Sequence, residues 1–326
     1  MPIQTAIDSI NNNQGSPYGF KNRIINGQMQ IAQRATSNTI TAAATIAAGY
    51  STVDRFYVYS TGANVTAAQV DGAGATKNRL RITGAASVTA VGIGQRIEAN
   101  NSYDLAGSTA TLSADLAISA TLTTVTWTAS YANTADTFGT SSSNTNTQIA
   151  TGTFTVTPTV TNFNAQITIP AAATTGIQIL FTVGALTAGL TWTVGNVQLE
   201  KGSTATSFDY RPISTELALC QRYFYKTNPS NTATNGGAWG AMSGTTDGHL
   251  TGPLPVPMRT GPTFTFGGTS NTYYISNISA TATGTPATLS GSALIVDFEI
   301  TGISPTGAIG RPLQYNGQMS ITAEFT

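Results

Sequence analysis

Apolar and polar residues alternate along most of this chain, with the period of two that marks half-buried strands. Ala110, Leu112, Ala114, Leu116 and Ile118 share one face, with Thr111, Ser113, Asp115 and Ser119 on the other. Val125, Trp127, Ala129 and Tyr131 repeat the pattern, as do Ile177, Ile179, Phe181 and Val183. Two stretches change phase. Trp192 and Val194 alternate with Thr191 and Thr193, after which the apolar set moves to Val197 and Leu199; the shift at Gly195 predicts a β-bulge that bends the strand. Between Thr151 and Ile169 the inward set begins as Phe154, Val156 and Val160 and changes parity to Phe163, Ala165, Ile167 and Ile169. That predicts a bulge or turn near Asn162, and Pro158 predicts a sheet edge, because proline donates nothing to a ladder. Later, Leu294, Val296, Phe298 and Ile300 alternate with Ile295, Asp297 and Glu299, and Met319, Ile321, Ala323 and Phe325 form a last strand.

The breaks between these runs set the organisation. Thr134 to Gln148 and Asn228 to Gly248 are rich in Gly, Asn, Ser and Thr and carry no core pattern, so they read as loops. Glu200-Lys201-Gly202 ends the bulged strand and Pro212 closes an extended connector. Ser214 then precedes Thr215-Glu216, a helix start with a carboxylate at the positive end of the dipole, and Leu217, Cys220 and Phe224 follow at helical spacing. No fixed-period repeat argues for a β-helix or a propeller. Many short strands separated by turn-rich loops predict an all-β protein: a jelly-roll-type β-sandwich over residues 21–213 and a second, smaller β-sandwich over 214–326. Residues 1–20 differ. Ile3, Ile7 and Ile10 form one apolar stripe before the joint NNNQGSPYG, which predicts a short helical or extended anchor that docks onto something larger.

Composition narrows the chemistry. The chain has 326 residues, room for two domains, yet only 9% are charged where about a quarter is usual. Fourteen basic and fourteen acidic residues cancel, so no long-range field draws in nucleic acid. The apolar run Ile40 to Ala48 is too short to span a bilayer, so membrane insertion is not expected. No basic segment followed by an apolar one opens the sequence, and passage through the secretory machinery is not expected either. Cys220 is the single cysteine, which leaves no internal disulfide and no cysteine-based zinc site.

Catalysis finds little support. His249 is the single histidine and sits in a Gly-rich loop, so a Ser-His-Asp arrangement has no obvious base. Glu98 and Glu200 are the acids closest to conspicuous motifs, and pairing with Arg96, Lys201 or Arg211 accounts for them. GAGAT at Gly72 and GIGQR at Gly92 open no helix of a βαβ unit and read as strand turns. The expectation is a protein that is not an enzyme and needs no cofactor and no metal. Aromatic residues remain. Trp127 and Trp192 lie in alternating strands and belong to a core, whereas Trp239 sits among small residues that cannot bury it, followed by His249 and the pair Tyr273-Tyr274. These four are the candidate receptor contacts.

The stretch VGNVQLEKGSTATSFDYRPISTELALCQRYFYK, Val194 to Lys226, resembles the VGxVQLExGxxATxFExRPxxxELxLCQRY pattern of bacteriophage tail-fibre and related tail proteins that carry a carbohydrate-binding-module-like jelly roll. NRIINGQMQIAQR (22–34) resembles that family's opening strand, and STVDRFYVY (51–59) and GQRIEANNSYDLAGSTATLSADL (94–116) its middle strands; PLPVPMRTGPTFTF (253–266) is similar to part of its appended domain. The resemblance implies a virion structural protein, a tail fibre or receptor-binding protein, made in the bacterial host cytoplasm and mediating attachment to a host-surface glycan as a homotrimer. Residues 1–20 would be its anchor to other tail or baseplate proteins. Two other readings stay open: a polysaccharide depolymerase on a β-scaffold, and a ligand-free head-fibre or baseplate component.

Overall fold

A computed structural model describes residues 21–43, 49–72, 76–119, 121–140, 145–227, 239–267, 272–275, 281–291, 295–304, 312–315 and 318–325. The expected anchor at Ile3, Ile7 and Ile10 lies outside them. The chain forms two compact units: one runs through Glu216 and takes back Phe325, and the other is Leu217–Glu324.

Among the described residues the first unit has eleven strands: β1 (Ser37–Ile40), β2 (Tyr57–Thr61), β3 (Val65–Asp71), β4 (Asn78–Thr83), β5 (Ala90–Ile97), β6 (Thr109–Ile118), β7 (Thr124–Ala132), β8 (Asn146–Thr155), β9 (Thr161–Thr168), β10 (Ile177–Val183) and β11 (Thr191–Lys201). They form two antiparallel sheets, one in the order β1-β3-β4-β11-β6-β9 and one in the order β2-β5-β10-β7-β8. Leu112, Leu116, Trp192 and Val194 from the first sheet meet Ile93, Trp127, Ile179 and Phe181 from the second in one buried core. This is the predicted jelly-roll-type sandwich. The predicted bulge is present: the pairing of β11 with β6 slips between Gly195 and Gln198, and Asn196 there takes a positive φ of 45°. The parity change after Phe154 is a turn at Pro158 that carries the chain from β8, at the edge of one sheet, to β9, at the edge of the other.

Residues 22–34 are not a strand, contrary to what their resemblance to the opening strand of phage tail proteins implies. Asparagine side chains take over the hydrogen bonding that a ladder would supply. Asn22 Oδ1 accepts from Ile24 N at 2.9 Å and from Leu199 N at 3.1 Å, while its amide donates to Val197 O at 3.1 Å. Asn26, at φ 59°, donates to the carbonyls of Ile31 and Asp54 and accepts from Ile31 N. Gln95 pairs with both backbone groups of Ile25 at 2.7 and 2.8 Å, as a neighbouring strand would. Between β5 and β6, within the segment that resembles the family's middle strands, the chain makes a helical turn at Ala99–Ser102 and a 3-10 turn at Tyr103–Leu105.

The helix predicted after Pro212 is Ile213–Gln221, with Glu216 in its first turn. The second unit continues with β12 (Phe224–Lys226), β13 (Trp239–Met242), β14 (Gly248–Pro253), β15 (Thr263–Gly267), β16 (Thr272–Ile275), β17 (Thr281–Gly291), β18 (Ile295–Ser304), β19 (Pro312–Tyr315) and β20 (Gln318–Thr322). It is all-β and the smaller of the two. In place of two facing sheets, six strands close into a barrel in the order β13-β14-β18-β17-β16-β19, and β12-β20-β15 form a separate three-stranded sheet. Closure removes the unpaired edges that two small sheets would expose. Met242, Leu250, Ile300, Ile303, Leu313, Met319 and Ile321 make its core. Among the described residues, no helix is long and apolar enough to cross a membrane.

Candidate functional site

The most distinctive stretch of sequence is architectural. Gln198 and Glu200, on the outward face of β11, hold the connector that follows. Glu200 accepts from Gln198 Nε2 at 2.9 Å, from Thr206 N at 2.8 Å and from Thr206 Oγ1 at 2.6 Å, and Gln198 Oε1 accepts from Asp209 N at 2.9 Å. Lys21 Nζ donates to Ser207 O at 2.7 Å, which ties the start of the unit to the same strap. The pairing of Glu200 with Lys201 or Arg211 expected from sequence is replaced by these bonds. Lys201 donates to Asp104 O, and Arg211 pairs with Glu216 at 3.3 Å and donates to the carbonyl oxygens of Ile24 and Asn22. Glu200 is thereby a structural acceptor with both oxygens engaged, which argues against an acid or base role.

The outward face of the five-stranded sheet is divided. On one side Tyr57 and Tyr59 lie across the glycines opposite them: a Cβ at Gly94 would stand 2.3 Å from the Tyr57 ring, and one at Gly92 would stand 2.2 Å from that of Tyr59. Burial raises both phenol pKa values, and for Tyr57 the nearby Arg96 charge opposes the rise without cancelling it. Arg96 lies 5.4 Å from the Tyr57 ring centre and 5.3 Å from that of Phe138, and Arg55 lies 5.6 Å from that of Phe325. Phe325 meets Phe138 edge-on at 5.2 Å, and its carbonyl accepts from Arg96 at 3.4 Å. This part of the face is covered by the chain itself. The remainder, at Thr126, Thr128, Thr151, Thr153 and Thr182, is a partly open threonine surface. A cleft of about 190 Å³ lies away from it, where β1 meets the β2 edge of this sheet, lined by Thr39, Ile40, Thr41, Ala43, Gly49, Ser51, Val58 and Tyr59.

The barrel presents a different surface. Trp239 is the first residue of β13, not a loop residue as the small residues around it suggest, and it is 52% exposed. It pairs with Thr251 on β14, and Thr251 pairs with Asp297 on β18. One register step along, Ala241 faces His249, which faces Glu299; one step the other way, Pro253 faces Ile295, itself 49% exposed. The alternate positions Met242, Gly248, Leu250, Gly252 and Ile300 are buried, so Trp239, His249, Thr251, Asp297 and Glu299 share the outward side. His249 is therefore an exposed strand residue. Tyr274 pairs with Gln314, the β19 residue that also pairs with Trp239, and Tyr273 pairs with Tyr315; the side chains of both tyrosines lie outside the described residues.

Four candidates thus fall on the backbone of one barrel, two of them on one described face. Asp297 and Glu299 were missing from the sequence-based set, although their alternation with Val296 and Phe298 already put them on the polar side of a strand. Such a face offers an open indole ring for stacking and carboxylates and hydroxyls for hydrogen bonds. No group of three or more His, Cys, Asp or Glu suited to a metal occurs among the described residues.

The architecture defines an all-β protein of two units. No family model matches the sequence, and no curated protein matches it. Solved structures similar to the chain include one described as "CBM4 structure and function", at 14% identity and a TM-score of 0.32 over 54% of this chain and 97% of that one. A second is a putative sugar binding protein from Bacteroides thetaiotaomicron, at 12% identity and a TM-score of 0.35 over 55% of this chain and 99% of that one. A third is the enzymatically active domain of tailspike protein 4 of bacteriophage CBA120, at 14% identity and a TM-score of 0.32 over 57% of this chain and 22% of that one.

Proposed function

We propose that this chain is a bacteriophage virion structural protein, a tail fibre or receptor-binding protein, that attaches to a host-surface glycan through the Trp239 face of its barrel. The observation that carries the glycan reading is Trp239 itself: a large aromatic ring, half exposed on a strand, with Thr251 and Asp297 in the same cross-strand row. Neutral sugars bind by stacking an apolar ring face on an aromatic while their hydroxyls bond to amides, hydroxyls and carboxylates. A strand on a closed barrel holds such groups more rigidly than a loop. The virion assignment rests on the five sequence segments that resemble phage tail proteins.

In this reading several copies act together, so that weak individual sites gain avidity through effective concentration. A homotrimer supplies the copies, and residues 1–20 fasten the assembly to other tail or baseplate proteins. Sedimentation of the intact chain at micromolar concentration tests the first, where only monomer would exclude it. Deletion of residues 1–20 tests the second: host binding should survive and incorporation into particles should fail, and normal incorporation would place the anchor elsewhere.

The glycan reading is tested by adsorption of the full-length protein to host cells. Trp239→Ala should abolish adsorption with an unchanged melting temperature, and undiminished adsorption would remove this face from the account. Release of reducing ends from the host polysaccharide in the same assay would favour a depolymerase. The threonine surface over β7, β8 and β10 favours the ligand-free spacer instead, and a wild-type protein that never adsorbs would support it.

A further inference from the structure

We infer, resting on the Trp239 reading, that the face selects glycans without acidic groups, and that Asp297 and Glu299 are the residues that set this preference. They occupy neighbouring outward positions on β18, in the two cross-strand rows that contain Trp239 with Thr251 and Ala241 with His249. Strands are about 4.8 Å apart, so Asp297 lies two strands and roughly 10 Å from the Trp239 position, about the length of a disaccharide. A sugar stacked on the indole and extended across Thr251 therefore brings its second residue to the carboxylates.

Among the described residues, charge around the face is one-sided. The second unit contains four basic residues besides its histidine, namely Arg222, Lys226, Arg259 and Arg311. Arg222 donates to Pro257 O and Arg259 to the carbonyls of Ala323 and Glu324, while Lys226 belongs to the three-stranded sheet, opposite Ser320. Arg311 lies outside the described residues. Among the described residues, His249 is the one basic side chain on the face, set directly across from Glu299. A uronate, sialyl or phosphate group placed there meets two carboxylates. An uncharged hydroxyl or a protonated amine meets two acceptors. Repulsion between exposed charges at such separations is modest and screened, so the discrimination against an acidic group should be about five- to tenfold at low salt and shrink above about 0.15 M.

The experiment is a glycan array read with the intact protein at low salt. It carries neutral, amine-bearing and acidic oligosaccharides of matched length, including N-acetylated and free-amine chito-oligosaccharides and oligogalacturonates. Wild type should bind neutral and amine-bearing members and bind acidic ones at least fivefold less. The double variant Asp297→Asn, Glu299→Gln keeps acceptors at both positions, and it should gain acidic binders to within about twofold of their neutral counterparts. Equal binding of acidic and neutral members by wild type, or an unchanged ratio in the double variant, overturns the inference while loss in Trp239→Ala keeps the glycan reading intact. Binding that Trp239→Ala leaves unchanged, or no binding to any member, overturns both.

Discussion

Replacing Phe325 with alanine should be among the most damaging single changes to the first unit. The ring is 2% exposed and packs edge-on against Phe138 at 5.2 Å, with the fully buried Arg55 guanidinium 5.6 Å from its centre. A buried Phe→Ala change costs about 3–5 kcal/mol. Partial collapse of the neighbouring Phe138 and Arg55 side chains into the space keeps the cost near the low end. Loss of the cation–π contact with Arg55 adds about 0.5–2 kcal/mol, since that charge is desolvated. For a unit of this size each kcal/mol moves the melting temperature by about 2–4 °C, so a total of about 4 kcal/mol predicts a fall of about 8–16 °C. Phe325→Leu keeps most of the apolar burial and gives up the ring, and should cost about 1–2 kcal/mol. Calorimetry of the full-length chain and both variants provides the comparison. A drop below about 2 °C for the alanine variant would refute the reasoning, because the ring would then not be holding the cover over Arg55 and Arg96.

Three further outcomes follow from the same geometry. Gly92→Ala or Gly94→Ala drives a methyl into the Tyr59 or Tyr57 ring, and thermal denaturation should show a loss of about 1–3 kcal/mol; wild-type stability would mean the tyrosines move aside freely. Glu200→Ala leaves Gln198 and the Thr206 amide without their acceptor, so limited proteolysis should cut within residues 202–211 faster than in wild type, and an unchanged rate would show that the strap is held by other contacts. Burial raises the phenol pKa values of Tyr57 and Tyr59, so the unfolded chain loses these protons first as pH rises; stability is intact below about pH 10 and should fall above it, with a shallower fall in Tyr57→Phe measured by urea denaturation, and identical slopes would contradict this.

The fold is legible in the sequence where period two and turn chemistry both apply. The phase shift at Gly195 became the slip between Gly195 and Gln198, and the Ser-Thr-Glu start became the first turn of Ile213–Gln221. It is not legible where side chains replace backbone partners. Ile25, Met29 and Ile31 look strand-like, yet Asn22, Asn26 and Gln95 satisfy the local backbone, and Asn26 and Met29 both stand at φ 59°. Barrel closure was not legible either, because alternation records which side of a strand is buried and not whether a sheet meets itself. Phe325 keeps the alternation of Met319, Ile321 and Ala323, and its assignment to the first unit depends on Phe138 and Arg55, far away in sequence. For the candidate face, Trp239 and His249 stood out because nothing local could bury them. Asp297 and Glu299 look like ordinary polar strand positions until the register sets them in the same rows.

Fluorescence tests the central claim most directly, because Trp127 and Trp192 are buried and Trp239 is the exposed member of the three tryptophans. Acrylamide quenching of the intact protein should be dominated by Trp239. Saturating host-surface polysaccharide should protect that component from quencher, with a dose dependence matching adsorption, and the protected component should vanish in Trp239→Phe. Quenching that stays the same while the polysaccharide is demonstrably bound would contradict the account, since the glycan would then be held without covering the indole.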